Sequence, residues 1–250
     1  MDRQLMLNAF SPASGVEDPQ RFAGRRDEVE DLANALVTKG SIPLVYGDRG
    51  LGKSSLALQL SRIAQGDVEL LSELDLEDLA LPESQRFITF YVNCSDSTKN
   101  LNGILQLMIN AVESLKDAKI RDESKGEHRL IDKTTRRALS LKVFTHETTK
   151  TFQTERTLLD TSRFSKEELL IRLTETLTDV YEQPVLFILD ELDRVADTRG
   201  LASFLKSYSS EYLKFALVGI GSTEAELLND HASLNRQLVP VKLPRMSKNE

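Results

Sequence analysis

Apolar and polar positions follow two rhythms along this chain, one helical and one strand-like. Over residues 25–39 the apolar positions Val29, Leu32, Ala33, Leu36 and Val37 recur with helical spacing, and Gly40 is placed to stop the helix. Residues 42–46 form a short apolar run that predicts a strand. A glycine-rich turn follows, then a helix beginning near Lys53 with Leu56, Ala57, Leu60, Ile63 and Ala64 on one side and Gly66 at its end. Residues 87–92 predict a second strand, and residues 101–115 a strong helix striped by Ile104, Leu105, Met108, Ile109 and Val112. Further along, helical spacing over 166–181 stops before Pro184, and 185–189 reads as a third strand. A helix near 201–208 leads to a fourth strand at 215–220, and one near 224–229 leads to a fifth at 238–243. Strands alternating with helices imply an α/β fold, with a parallel sheet covered by helices on both faces.

Two stretches break the rhythm. Residues 1–21 carry Ser11, Pro12, Ser14, Gly15 and Pro19 with little periodicity and read as an irregular lead-in. Residues 116–164 are polar and rich in Lys, Arg, Thr and Glu, and read as an insertion containing one candidate strand at 139–144. Its basic residues Arg129, Lys133, Arg136, Arg137 and Lys142 can touch a polyanion; the alternative is a solvated arm of mixed charge. A third segment, with Asp67, Glu69, Glu73, Asp75, Glu77, Asp78 and Glu83, reads as a solvated helix face.

Composition narrows the picture. A 250-residue chain is ample for one such domain, and 40% hydrophobic with 28% charged residues is a globular balance. The net charge of −7 argues against a surface built wholly to coat nucleic acid. The longest strongly apolar run, 185–189, falls far below the ~20 residues that cross a bilayer, and the N-terminus has no signal-peptide pattern. A single cysteine, Cys94, can form neither an internal disulfide nor a zinc cluster alone, and its apolar neighbours place it at the end of a buried strand. The cytoplasm is the compartment these features suit.

The chemistry concentrates in two places. Gly47, Asp48, Arg49, Gly50, Leu51, Gly52, Lys53 and Ser54, followed by Ser55, match the P-loop pattern of Gly, four residues, then Gly-Lys-Ser. The glycines let the backbone curl with its N–H groups inward, forming an anion nest at the start of a helix. Lys53 then reaches the β- and γ-phosphates of a bound nucleotide, and the Ser54 hydroxyl is offered to Mg²⁺. Downstream, the apolar strand 185–189 ends in Asp190 and Glu191. A carboxylate at the carboxyl end of a central strand faces the ligand crevice, where Asp190 can hold Mg²⁺ through water. Glu191, one residue on, can polarise the attacking water as a general base.

These motifs together resemble the additional-strand P-loop ATPases, within them the AAA+ and STAND group, and most of all its origin-recognition and replication-initiator branch with its bacterial relatives. Three further stretches carry the likeness. Residues 22–28, Phe-Ala-Gly-Arg-Arg-Asp-Glu, resemble the box that opens such domains, which makes Phe22, Ala23 and Arg25 candidates for contact with the adenine. Residues 190–193 resemble the extended Walker B motif. Residues 215–222 resemble the fourth strand with its polar sensor, here Ser222 with Thr223 adjacent, where Asn is frequent in the group. A strand-end turn or helix N-cap also accounts for Ser222. By the same likeness Arg236, just before the fifth strand, is a candidate finger that reaches a neighbour's γ-phosphate, with Arg49 and Arg194 as alternatives; the other reading is a surface arginine.

The resemblance implies a three-layer domain with a five-stranded parallel sheet in the order 5-1-4-3-2, spanning residues 22–245, with 246–250 as the start of a helical lid that does not follow. It implies ATP rather than GTP, with ATP, ADP and Mg²⁺ at the site, self-assembly through Arg236, and lid and effector domains beyond the C-terminus. Two functions fit. The first is an ATPase core driving assembly or remodelling, with DNA as one candidate partner. The second is a STAND-type signalling or defence switch, in which ATP binding gates an effector and hydrolysis is slow.

Overall fold

The computed structural model describes residues 24–123, 164–221 and 236–245, together with Val16, Asp18, Pro19, Phe22 and Leu234. Its centre is a five-stranded sheet in the order β2-β3-β4-β1-β5. The strands are β1 (Ile42–Gly47), β2 (Ile88–Asn93), β3 (Val185–Asp190), β4 (Leu213–Ile220) and β5 (Leu238–Lys242). Every neighbouring pair is parallel. Read from the other edge, the order is the expected 5-1-4-3-2. β1 and β3 are buried along their whole length, which is why they read as unbroken apolar runs rather than as alternating ones.

Helices cover both faces. On one side lie α1 (Arg26–Val37) and α2 (Lys53–Ala64), whose Val29, Leu32, Leu36, Leu56, Leu60 and Ile63 pack on Val45, Ile188 and Val218 of the sheet. On the other lie α4 (Leu101–Glu123), α5 (Lys166–Tyr181) and α6 (Leu201–Tyr208), packed on Leu44, Val92, Phe187 and Leu217. Across this second face the rings of Phe90, Phe187 and Phe215 stack from strand to strand with centroids 5.2 and 6.1 Å apart. Such rows of aromatic side chains fix the register of neighbouring strands.

Local chemistry sets the ends of these elements. Ser165 accepts a hydrogen bond from the Glu168 backbone N–H and opens α5 as its N-cap. Glu182 closes that helix in a left-handed conformation, its N–H bonded to Thr178, before Pro184 redirects the chain into β3. Asp27 and Glu28 occupy the first turn of α1, where the helix dipole favours acids.

Two expectations change. The acidic segment is not a single helix face: it forms the short α3 (Glu69–Glu73) and two 3₁₀ turns, Glu77–Leu79 and Glu83–Gln85. Leu70, Leu71, Leu76 and Leu81 all turn inward, at a spacing no single helix can satisfy, and Asp75 breaks the path with φ 54°. The second change is in length, since α4 runs on to Glu123, into the stretch read as an insertion. The rest of that stretch, with Arg129, Lys133, Arg136, Arg137, Lys142 and the strand at 139–144, lies outside the described residues, as do the helix at 224–229 and residues 246–250. Among the described residues no helix is long and apolar enough to cross a membrane.

Candidate functional site

The two motif-bearing turns leave the sheet at the carboxyl ends of β1 and β3, the strands that flank β4. Parallel sheets bind ligands in this crevice, beyond the strand ends.

Gly47 ends β1 with φ 149°, and a Cβ placed on it would lie 2.8 Å from the Leu243 carbonyl oxygen. Only a residue without a side chain lets β1 and the end of β5 approach so closely. Gly50 and Gly52 adopt left-handed φ values of 82° and 87°, and a Cβ on either would meet nothing within 4 Å. The turn therefore borders open space. Gly52 also precedes the first turn of α2 with no side chain to cap it, so the first amides of the helix are left to an outside acceptor. Asp48 and Arg49 are exposed, and Leu51 packs against the α1–α2 core.

Lys53 lies deep in this turn, with 8% of its surface exposed. Its Nζ donates to the carbonyl oxygens of Gly47 at 3.0 Å and Asp48 at 2.7 Å. Burial pulls its pKa below the usual lysine value, while Asp193, Asp190 and Asp48 pull it back up. The lysine thus sits in the field of carboxylates from both its own turn and the β3 side. Ser55 Oγ accepts the Val16 N–H at 2.9 Å. With Gln59 Nε2 donating to the Val16 carbonyl at 3.0 Å, it pins the lead-in across α2.

On the β3 side, Asp190 is 4% exposed and both carboxylate oxygens are used. Oδ1 accepts the Glu191 backbone N–H at 2.7 Å, and Oδ2 accepts the Tyr91 hydroxyl at 2.5 Å. Ser54 lies close enough to the Tyr91 hydroxyl to pull its pKa down slightly. Burial first, and Asp190 next, push the Tyr91 pKa well above the usual phenol value, so the ring carries its proton. Glu191 takes a left-handed conformation with φ 57°, which is uncommon for a residue with a side chain and concentrates at functional turns. Its carboxylate pairs with Arg194 Nε at 3.2 Å. Asp193 accepts the Ile220 N–H at 2.7 Å, tying this loop to the end of β4. Cys94 is a buried thiol pushed up to about 12 by burial and by Asp190, a core residue as expected.

Phe22 packs against the α1–α2 core, and the Arg25 guanidinium is spent on protein oxygens: Glu28 at 2.9 Å, Pro244 at 2.7 Å and Leu51 at 3.3 Å. Ala23 and Ser222 lie outside the described residues, as does Thr223. Arg236 is exposed in the turn before β5. Since Leu238 pairs with Ile42 at the start of β1, that turn sits at the end of the sheet opposite Gly47. Lys53, Ser54, Asp190 and Glu191 therefore come together, and Arg236 stands apart from them.

Sequence reasoning missed Tyr91 as part of this site, and gave Asp193 no role beyond its place in the 190–193 stretch. Tyr91 carried a usable signal. Phe90 and Val92 point into the α4–α5 core, so the residue between them must face α2, where Ser54 lies.

The family model of the AAA domain matches residues 37–228. No curated protein matches the chain. Among solved structures it is similar to a Walker-type ATPase of Pyrococcus abyssi, with 16% identity and a TM-score of 0.51 over 95% of this chain and 58% of that one. It also matches the ORC1 protein of Aeropyrum pernix in complex with DNA, with 16% identity and a TM-score of 0.47 over 90% and 46%. A further match is PCH-2 of C. elegans, with 11% identity and a TM-score of 0.36 over 89% and 42%. The first of these supports the fold. The chain spans less than two thirds of each of the three.

Proposed function

The chain belongs to the AAA domain family, and from that premise we propose that it binds ATP at the 47–55 turn and hydrolyses it with Glu191 as the base. The observation that carries this reading is the buried Lys53 of the phosphate-binding turn set in the field of Asp190 and Asp193, at and just beyond the acidic end of β3. The uncapped helix start and the open rim at Gly50 and Gly52 suit the β- and γ-phosphates. Ser54 and Asp190 would hold Mg²⁺, which when bound neutralises charge on the terminal phosphates. Lys53 adds a fixed cation on the same side. Glu191 takes a proton from a water whose oxygen bonds to the γ-phosphorus, and the bond from that phosphorus to the bridging oxygen breaks to leave ADP.

Within this reading, the first role is assembly or remodelling in a shared-site oligomer, on DNA or on protein. Arg236 lies too far from its own P-loop to serve it, so any part in hydrolysis needs the site of a second subunit. The second role, a nucleotide switch with slow turnover, is favoured by the Glu191–Arg194 pair, which holds the base in an ion pair. Turnover per protomer measured against protein concentration, for wild type and Arg236→Ala, separates the two. A rise with concentration that is lost in the variant supports the shared site; slow, concentration-independent turnover supports the switch.

ATP binding itself is tested by calorimetry on wild type and Lys53→Ala. Saturable binding that the substitution reduces by at least about a hundredfold supports the site, on the scale expected for a buried charge that contacts phosphate. Equal affinities would remove the 47–55 turn from the account.

A further inference from the structure

We propose that Tyr91 is a positioning residue for the magnesium ligand Asp190, holding its carboxylate in place through its hydroxyl. The inference rests on the ATP-binding reading above and adds to it a residue from a third element, β2.

The geometry is specific. Tyr91 sits in β2 opposite Ile188, two residues before the register pair Asn93 and Asp190. Its side chain leaves the sheet toward α2. There the hydroxyl donates its proton to Asp190 Oδ2 at 2.5 Å. A hydroxyl has one proton to give, and this one is committed to Asp190.

That bond has a consequence for cation binding. Asp190 is fixed at both oxygens, by Tyr91 on Oδ2 and by the Glu191 N–H on Oδ1, yet each carboxylate oxygen keeps further lone-pair capacity. A buried carboxylate held by two donors has little rotational freedom left to lose when a cation or its water arrives. Outer partners of metal ligands act in this way, and their loss weakens metal affinity without removing a ligand.

The test follows binding of a fluorescent ATP analogue as Mg²⁺ is added, for wild type, Tyr91→Phe, Asp190→Asn and the double variant, with a control titration in EDTA. Tyr91→Phe keeps the ring and removes only the hydroxyl, and thermal melting checks that the fold is retained. The expected result is a Mg²⁺ midpoint raised about tenfold, the scale of one hydrogen bond to a charged acceptor. Affinity in EDTA stays at the wild-type value, and Tyr91→Phe has no further effect once Asp190→Asn is present. An unchanged midpoint overturns the proposal. So does a lowered one, which would make the hydroxyl a competitor of the cation. Equal loss of affinity with and without Mg²⁺ also overturns it, since that marks a packing role. A wild-type protein that fails to bind the analogue under any condition would instead overturn the ATP-binding reading itself.

Discussion

The guanidinium of Arg25 donates to the carbonyl oxygen of Pro244 at 2.7 Å, joining residues 219 positions apart in the chain. The same group donates to the Leu51 carbonyl within the phosphate-binding turn and pairs with Glu28 at 2.9 Å. One side chain thus ties the segment before α1, the P-loop and the end of β5 together. The Phe-Ala-Gly-Arg box therefore has a structural role that does not depend on adenine.

Arg25→Ala is expected to destabilise the domain by about 3 kcal/mol, because it strands a largely buried Glu28 and unpairs two carbonyls. Arg25→Lys should recover less than half of this, since the three donors of an ammonium sit on one nitrogen and cannot span acceptors that Arg25 reaches from two. Denaturant unfolding of the three proteins checks both. A lysine variant as stable as wild type would show that charge alone matters here.

Gly47 and Gly50 should respond differently to alanine. At Gly47 the new methyl meets the Leu243 carbonyl oxygen at 2.8 Å and the Leu51 side chain at 3.3 Å, and β1 must move from β5. The expected cost is about 2–3 kcal/mol. At Gly50 the methyl has open space, and only the left-handed backbone is penalised, by about 1 kcal/mol. Melting temperatures should therefore fall further for Gly47→Ala, while Gly50→Ala acts mainly on nucleotide affinity. The reverse order of melting temperatures would contradict the close approach of the two strands.

Lys214 supplies a pH dependence. It is 3% exposed in β4, donates to the Ala35 and Thr38 carbonyl oxygens at 3.1 and 2.5 Å, and burial lowers its pKa to about 8. Below about 8 both folded and unfolded chains carry the proton, and the cost of the buried charge is fully present. Between about 8 and the model-peptide value of 10.5 the folded chain has lost the proton and the unfolded chain still holds it, so stability rises with pH. Compared with Lys214→Met, wild type should gain stability across this window in matched denaturant melts. A difference between the two that stays constant with pH would show that Lys214 keeps an ordinary pKa.

Much of this was legible in the residues, for reasons that differ by element. The helices 166–181 and 201–208 match α5 and α6 because their stops are local: a capping serine, Glu182 with Pro184, and Gly200. The sheet order followed from resemblance alone, since strand spacing carries no information about neighbours. In the acidic segment, charge masked the inward leucines, and a periodicity reading favoured one helix over several short turns. At the site, the phosphate-binding turn and the Asp190-Glu191 pair are contiguous in sequence and could be read directly. Tyr91, Arg25 and Asp193 act through contacts with distant residues, which a linear pattern does not contain. Lys53 illustrates both sides: its motif marks it as a phosphate ligand, while its carboxylate neighbours Asp190 and Asp193 emerge only from the sheet order, which sets β3 across β4 from β1.

The measurement that bears most directly on the central claim is phosphate release from ATP alongside ATP affinity, for wild type and Glu191→Gln. Glu191→Gln keeps the shape of the β3 turn and removes the base. The account predicts affinity within about twofold of wild type and a turnover lower by at least a hundredfold, at the low end of what a positioned general base contributes. Full hydrolysis by Glu191→Gln would contradict the account and take Glu191 out of the chemistry.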